Sequence, residues 1–255
     1  LIRHITPLEK ERISDPEAAL DGRPLRLSSV RVCSPIPHPE QDIICLGVNY
    51  AAHADESAQF DRKAFLLDRK KATYFSKRAY QTSGPDDLIP SYPEIVTSLD
   101  YEAELAVIIG RDCKNVCERD AAACIFGYTV LNDVSARNLQ TEHNQWYFGK
   151  SLDGFTPMGP CIVTEDEIPY PPALSISSTV NGELRQNSNT KYLLHSISEI
   201  IAELSQGMTL LAGTIIATGT PAGVGMGFDP PKFLKSGDVV TCEIEKIGRL
   251  TNMVK

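Results

Sequence analysis

LDYEAELAVIIG, Leu99 to Gly110, is the stretch whose reading decides the fold. From Tyr101 to Ile109 it reads as a strand, short and β-compatible, bounded by Asp100 and Gly110. Alternate side chains on a strand share a face, which places Glu102 and Glu104 together with Ala106 and Ile108. Tyr101, Ala103, Leu105, Val107 and Ile109 form the other face. Both faces finish apolar, the pattern of a strand covered on both sides. Two paired carboxylates on such a strand fit one of two placements. Either they sit at a solvated edge, or they are buried, where mutual repulsion and desolvation demand a proton or a cation between them.

The rest of the composition narrows the setting. The chain has 255 residues, 42% hydrophobic and 23% charged, enough for one large domain or a domain with a small appendage. Its net charge of -8, from 25 basic and 33 acidic residues with no basic run, argues against nucleic acid or an anionic membrane as partner. No apolar stretch reaches the ~20 residues needed to span a bilayer. The opening LIRHITPLEKER is too polar for a secretory signal, and its abrupt start suggests that a leading segment precedes it. Seven cysteines form no CxxC pair, and Cys113-x3-Cys117 has no second ligand pair to complete a zinc site. Unpaired thiols point to a reducing, cytoplasmic setting.

Outward from the opening strand, residues 1–40 read as a small N-terminal appendage ending at the Pro cluster SPIPHPEQD, and 41–255 as the main domain. IICLGV is a buried-type strand. Asn49 then reads as the N-cap of a helix over YAAHADESAQF, with Asp55 and Glu56 in its early turns. TYFS and GYTVLNDV are further strands, and CERDAAACIF a helix. ALSISSTV-NG-ELRQNS is a hairpin, because Asn-Gly favours the turn that fits strand twist. YLLHSISEIIAELSQ has a helical stripe of Leu193, Ile197, Ile200, Ile201 and Leu204, with His195 a partly exposed residue near its start. TIIATG and DVVTCEIEKIGRLTNMV close the chain as strands. Strands outnumber helices without alternating with them, so the fold class is α+β with a large mixed or antiparallel sheet.

Four constellations could carry chemistry. Asp133, at the end of VLNDV, adds a third carboxylate to Glu102 and Glu104. Three oxygen ligands without Cys or His suit a hard cation, Mg²⁺ first, with Mn²⁺ or Ca²⁺ as alternatives. His53 and Glu56, three apart on the predicted helix, can hydrogen-bond, and a carboxylate behind an imidazole makes a general base. An exposed pair on a surface helix fits that spacing as well. Lys150 in FGKSLDGF could hold a substrate carboxylate or an oxyanion, or be an ordinary surface lysine. ATGTPAGVGMG, 217–227, lacks the P-loop lysine and the dinucleotide fingerprint. It reads as a loop whose amides and Thr220 hydroxyl approach a small anionic ligand.

In this order, NY-x2-H-x2-E, DYEAELAVIIG, GY-x3-ND-x-SAR, GKSLDGF-x-P-x-GP, VNGELRQ and ATGTPAGVG resemble the fumarylacetoacetate hydrolase family, from about residue 41 to the C-terminus. The resemblance implies a mixed β-roll with a few peripheral helices, a divalent metal and a homodimer. It assigns Glu102, Glu104 and Asp133 as metal ligands, and His53, Glu56 and Lys150 as catalytic residues, the first two on a lid helix. Arg137, Gln140 and Thr220 fall at substrate-binding positions. Arg78 stands where many relatives carry proline, so Lys77 carries less weight as a pocket residue. The segment ESAQFDRKAFLLDRK is where relatives differ. The substrate implied is a small 2-oxo acid, and the expected reaction is hydrolysis of a C–C bond in an acylpyruvate- or fumarylpyruvate-type 2,4-dioxo acid. The alternatives are oxaloacetate decarboxylation or tautomerisation, isomerisation of a 2-hydroxyhepta-2,4-diene-1,7-dioate, and a metal-dependent scaffold that binds a dicarboxylate without turnover.

Overall fold

The computed structural model describes residues 2–5, 20–25, 31–65, 69–143 and 145–255. It divides into two compact units, Leu1–Cys33 and Ser34–Lys255. In the first, β1 (Ile2–Ile5) pairs antiparallel with β2 (Leu20–Leu25). Half of the appendage expected over 1–40 lies outside the described residues. Its last part belongs to the larger unit, where the Thr82 hydroxyl lies 2.6 Å from both Ser34 Oγ and the Ile36 carbonyl.

The larger unit is built on two large sheets, with a short antiparallel pair of β6 (Leu99–Asp100) and β9 (Ser135–Ala136) beside them. In the six-stranded one, β3 (Ile43–Gly47) pairs with β4 (Thr73–Lys77) on one side and with β13 (Ile215–Ala217) on the other. The sheet continues through β7 (Ala103–Ile109) and β8 (Ile125–Asn132) to β10 (Met158–Thr164). Only the β13–β3 pairing is parallel. The five-stranded sheet runs β12 (Glu183–Asn189), β11 (Ser175–Val180), β14 (Val239–Ile244), β15 (Gly248–Val254) and β5 (Leu88–Ile89). The mixed-sheet α+β class is therefore observed.

The alternation read from Leu99–Gly110 sets the packing. Leu105, Val107 and Ile109 join Val130, Val240, Ile244 and Leu250 in the main core, so one face of β7 looks toward the second sheet. Ala106 and Ile108 pack on Ile43, Cys45, Leu131 and Ala217 in a separate cluster on the other face. Every residue of β7 is buried. The predicted hairpin forms β11 and β12, with Asn181 and Gly182 both at positive φ (52° and 80°), as its turn requires.

Two helix readings change. Residues 118–124 form a 3-10 helix, and Ile125 already belongs to β8. The last long helix, α5 (Ile197–Gly207), starts later than the apolar stripe suggests. Ser196 and Glu199 close a capping box there, which leaves Leu193 and His195 in the preceding segment. Shorter helices are α1 (Ala51–Phe60), α2 (Arg62–Phe65), α3 (Arg137–Glu142) and α4 (Tyr147–Lys150). No described helix is long and apolar enough to cross a membrane.

Candidate active site

Three carboxylates meet where β7 and β8 come together. Glu104 lies inside β7, Glu102 immediately before it and Asp133 immediately after β8. The ladder carries this geometry past the strand ends. Asp133 N–H donates to the Glu102 carbonyl (2.9 Å), and Glu102 N–H to Asn132 Oδ1 (3.0 Å). Glu102, Glu104 and Asp133 are all buried, with one oxygen of each within 4.8 Å of the others. The solvated-edge placement is thus excluded.

Cations surround the cluster unevenly. Lys150 Nζ reaches Glu102 Oε2 (2.8 Å) and Asp133 Oδ2 (2.7 Å). Lys77 Nζ lies 2.8 Å from Asp133 Oδ1. Arg137 spans Glu102 through Nη1 (2.7 Å) and Asp100 through Nε (2.8 Å). Among the described residues, no lysine or arginine is in ion-pair reach of Glu104, whose Oε2 accepts the Gly219 amide (2.8 Å). The titration behaviour follows. Burial pushes the Glu102 carboxyl up, but the charges of Lys150 and Arg137 overcome it and hold it well below the usual range. Burial, then the Asp133 and Glu102 charges, push Glu104 well above that range. Burial works against the Lys150 ammonium, yet Asp133 and Glu102 raise its pKa, so it acts as a fixed cation and not as a base.

The donor set fits a hard divalent cation. It is all oxygen, and it contains one buried carboxylate that no protein cation neutralises. Four buried carboxylates (Asp100, Glu102, Glu104, Asp133) face three buried cations (Lys77, Arg137, Lys150). With all four ionised, a dication would leave the group with a single excess positive charge, suited to an anionic substrate.

The second half of the site rides on α1. His53 Nδ1 lies 3.0 Å from Glu56 Oε2, and its Nε2 lies 3.3 Å from the buried Ser57 hydroxyl. A carboxylate only accepts, so Nδ1 carries the proton and Nε2 is the basic atom. His53 is buried, which removes the exposed-pair reading. Together with Glu102, Arg137, Gln140, Lys150 and Thr220 it lines one small, narrow cavity. All six residues assigned to catalysis or substrate binding therefore contribute to one place, Glu56 from behind His53. Arg137 Nη2 is buried there without a hydrogen-bond partner.

The glycine-rich loop differs from its reading. Its amides serve the protein's own carboxylates: Gly219 holds Glu104 (2.8 Å), Gly223 holds Glu56 (2.9 Å), and Gly225 and Met226 hold Asp100 (2.6 and 3.1 Å). The Thr220 hydroxyl donates to the Ala103 carbonyl (2.9 Å) and accepts from Gln186 Nε2 (2.7 Å), so it has no proton left for an anion. Asn49 is not the N-cap either. Tyr50 holds that position, while the Asn49 side chain ties His195 and the Thr218 carbonyl together.

Two participants were underweighted or missed. Lys77, fully buried at the end of β4, bonds the Val134 and Lys150 carbonyls besides its contact with Asp133. Asp100, read only as a strand boundary, anchors Arg137. The signal for Lys77 was a lysine closing an apolar strand, and for Asp100 its place beside the paired glutamates.

Comparisons with known proteins place the chain among relatives. The fumarylacetoacetate (FAA) hydrolase C-terminal family matches residues 42–255. The chain is 46% identical over 228 residues to the oxaloacetate tautomerase YisK of Bacillus subtilis (strain 168), covering 89% of this chain and 74% of that protein. It is 41% identical over 257 residues to the mitochondrial oxaloacetate tautomerase fahd2 of Xenopus laevis, covering 99% and 78%. The solved fumarylacetoacetate hydrolase of psychrophilic Exiguobacterium antarcticum superposes with a TM-score of 0.81 at 44% identity, covering 92% of this chain and 82% of that one.

Proposed function

The chain belongs to the fumarylacetoacetate hydrolase family, and from that premise we propose that it is a divalent-metal-dependent enzyme interconverting the keto and enol forms of oxaloacetate or a similar 2-oxo dicarboxylate. One observation carries this reading. A buried imidazole with a carboxylate behind it lines the same small cavity as Glu102, one of three clustered buried carboxylates. The likeness to two oxaloacetate tautomerases moves the preferred reaction from hydrolysis to proton transfer.

Glu102, Glu104 and Asp133 would hold the cation, which supplies Lewis-acid polarisation of the substrate's 2-oxo group when bound. Arg137, already fixed by Asp100 and Glu102, offers its unpaired Nη2 to a substrate carboxylate. His53 Nε2 takes a proton from the carbon beside the carbonyl. The C–H pair becomes the C=C bond, and the carbonyl π pair moves to oxygen. The imidazolium, stabilised by Glu56, returns the proton to that oxygen and is restored. Lys150 spends two N–H bonds on Glu102 and Asp133, and its fixed charge offsets the negative charge developing on the substrate.

Hydrolysis of an acylpyruvate is the second reading, favoured by the 44% likeness to a fumarylacetoacetate hydrolase. There His53 would deprotonate a water that attacks the distal carbonyl. The test is purified protein with Mg²⁺, assayed for oxaloacetate keto–enol equilibration and for pyruvate release from acetylpyruvate and fumarylpyruvate. Faster equilibration with little pyruvate release supports the proposal. Rapid pyruvate release with buffer-rate equilibration overturns it in favour of hydrolysis, and inactivity in both assays favours the binding scaffold. We also propose a cytoplasmic homodimer, which a monomer mass by light scattering at micromolar concentration would contradict.

A further inference from the structure

The 223–227 turn meets the catalytic pair at Glu56. Glu56 Oε2 faces His53 Nδ1, while Oε1 accepts the Gly223 amide at 2.9 Å. Gly227 then closes the space from the far side. A Cβ on Gly227 would fall inside the Glu56 carboxylate, overlapping Oε1, Cδ and Cγ. No positive φ explains this glycine; the close approach of Glu56 does.

Besides Glu56, helix α1 carries the exposed Asp55–Arg69 ion pair and, at its end, the Phe60–Phe233 ring contact. It spans ten residues, its N-cap Tyr50 makes no side-chain cap bond, and its acidic side chains lie outside its first turn. Only His53, Ala54 and Ser57 are buried along it. The turn, by contrast, is held firmly. Its Gly225 and Met226 amides bind Asp100, which binds Arg137. The orientation of Glu56 is therefore referenced to the same buried frame that carries the carboxylate cluster.

We propose that Gly227, with the Gly223 amide, is a positioning element for the catalytic base, seating Glu56 so that His53 Nε2 faces the cavity. This rests on the reading of His53 as the base. Gly227 acts through Glu56 alone and touches no substrate.

A double-mutant cycle tests it: kcat for oxaloacetate equilibration at saturating Mg²⁺ in wild type, Gly227→Ala, Glu56→Ala and the double variant. Mn²⁺ affinity is measured calorimetrically on each. Misplacing a catalytic group by about 1 Å costs on the order of 10²-fold, the loss expected for Gly227→Ala, with Mn²⁺ affinity within about threefold of wild type. In the Glu56→Ala background the methyl group has room, so Gly227→Ala should change kcat by less than about threefold there. Equal losses in both backgrounds, or a Gly227→Ala variant at the wild-type rate, would overturn the proposal. Glu56→Ala at the wild-type rate would overturn the base reading as well, which separates the two failures. Should Gly227→Ala alone fail to fold, the double variant must fold, because the obstructed side chain is gone. A double variant that is also unfolded would place the clash elsewhere and defeat the proposal.

Discussion

The two halves of the site are supported very differently. Glu102, Glu104 and Asp133 are carried by adjacent strands whose hydrogen bonds run on past the strand ends, and every residue of β7 is buried. His53 and Glu56 sit on a ten-residue helix without a side-chain cap, where a turn meets Glu56 through one amide and one close approach. The cation-binding half is part of the fold. The basic half is an attachment that can be perturbed with the fold intact, so variants in the two halves should separate stability from turnover.

The largest effect is expected at Asp133. Its removal leaves Lys77 without its buried carboxylate and Lys150 with Glu102 alone, and breaking such a buried pair costs about 3–5 kcal/mol. Asp133→Ala should therefore lower the urea midpoint strongly and abolish turnover, as EDTA should in the unmodified protein, with Mg²⁺ restoring activity only in the latter. His53→Ala comes next. A lost general base lowers kcat by ~10²–10⁴-fold, yet the urea midpoint should hardly move, and Glu56→Gln should be milder because the imidazole remains. A midpoint loss comparable to that of Asp133→Ala would erase the distinction between the halves.

Arg137→Lys has an intermediate effect. A lysine keeps the charge but loses the planar fork that reaches Asp100 and Glu102 while presenting Nη2. A hydrogen bond to a charged group contributes about 1.5–3 kcal/mol, so KM for oxaloacetate should rise roughly ten- to a hundredfold with a smaller change in kcat. The smallest effect belongs to the Asp55–Arg69 ion pair, which is exposed. Exposed pairs contribute about 0.2–1 kcal/mol. Asp55→Ala should shift thermal unfolding by no more than that, with kcat unchanged. A large loss would mean that surface charge holds the helix and that Gly223 and Gly227 matter less.

Much of the core half was legible because its information is local. The period of two in Glu102, Glu104, Ala106 and Ile108 is also the face they share, and Asn-Gly marks its turn by backbone sterics alone. What could not be read depends on residues far apart in sequence. Gly219, Gly223 and Gly225 look like an anion cradle, and they are one, but the anions are Glu104, Glu56 and Asp100, more than 100 residues earlier. Asn49 has a good N-cap side chain, yet its oxygen is taken by the His195 amide, 146 residues away. The apolar stripe of α5 suggested an earlier start, although Ser196-x-x-Glu199 held the local signal for the true one. Lys77 was discounted for its neighbour Arg78, whereas its own burial is fixed by Asp133 across the sheet.

The division of labour is tested most directly by titrating His53→Ala with Mn²⁺ and measuring its oxaloacetate equilibration rate on the same sample, beside Glu102→Gln. His53→Ala should bind Mn²⁺ within about threefold of wild type while turning over ~10²–10⁴-fold more slowly, and Glu102→Gln should lose both. Wild-type turnover by His53→Ala, or a parallel collapse of its metal affinity, would contradict the account.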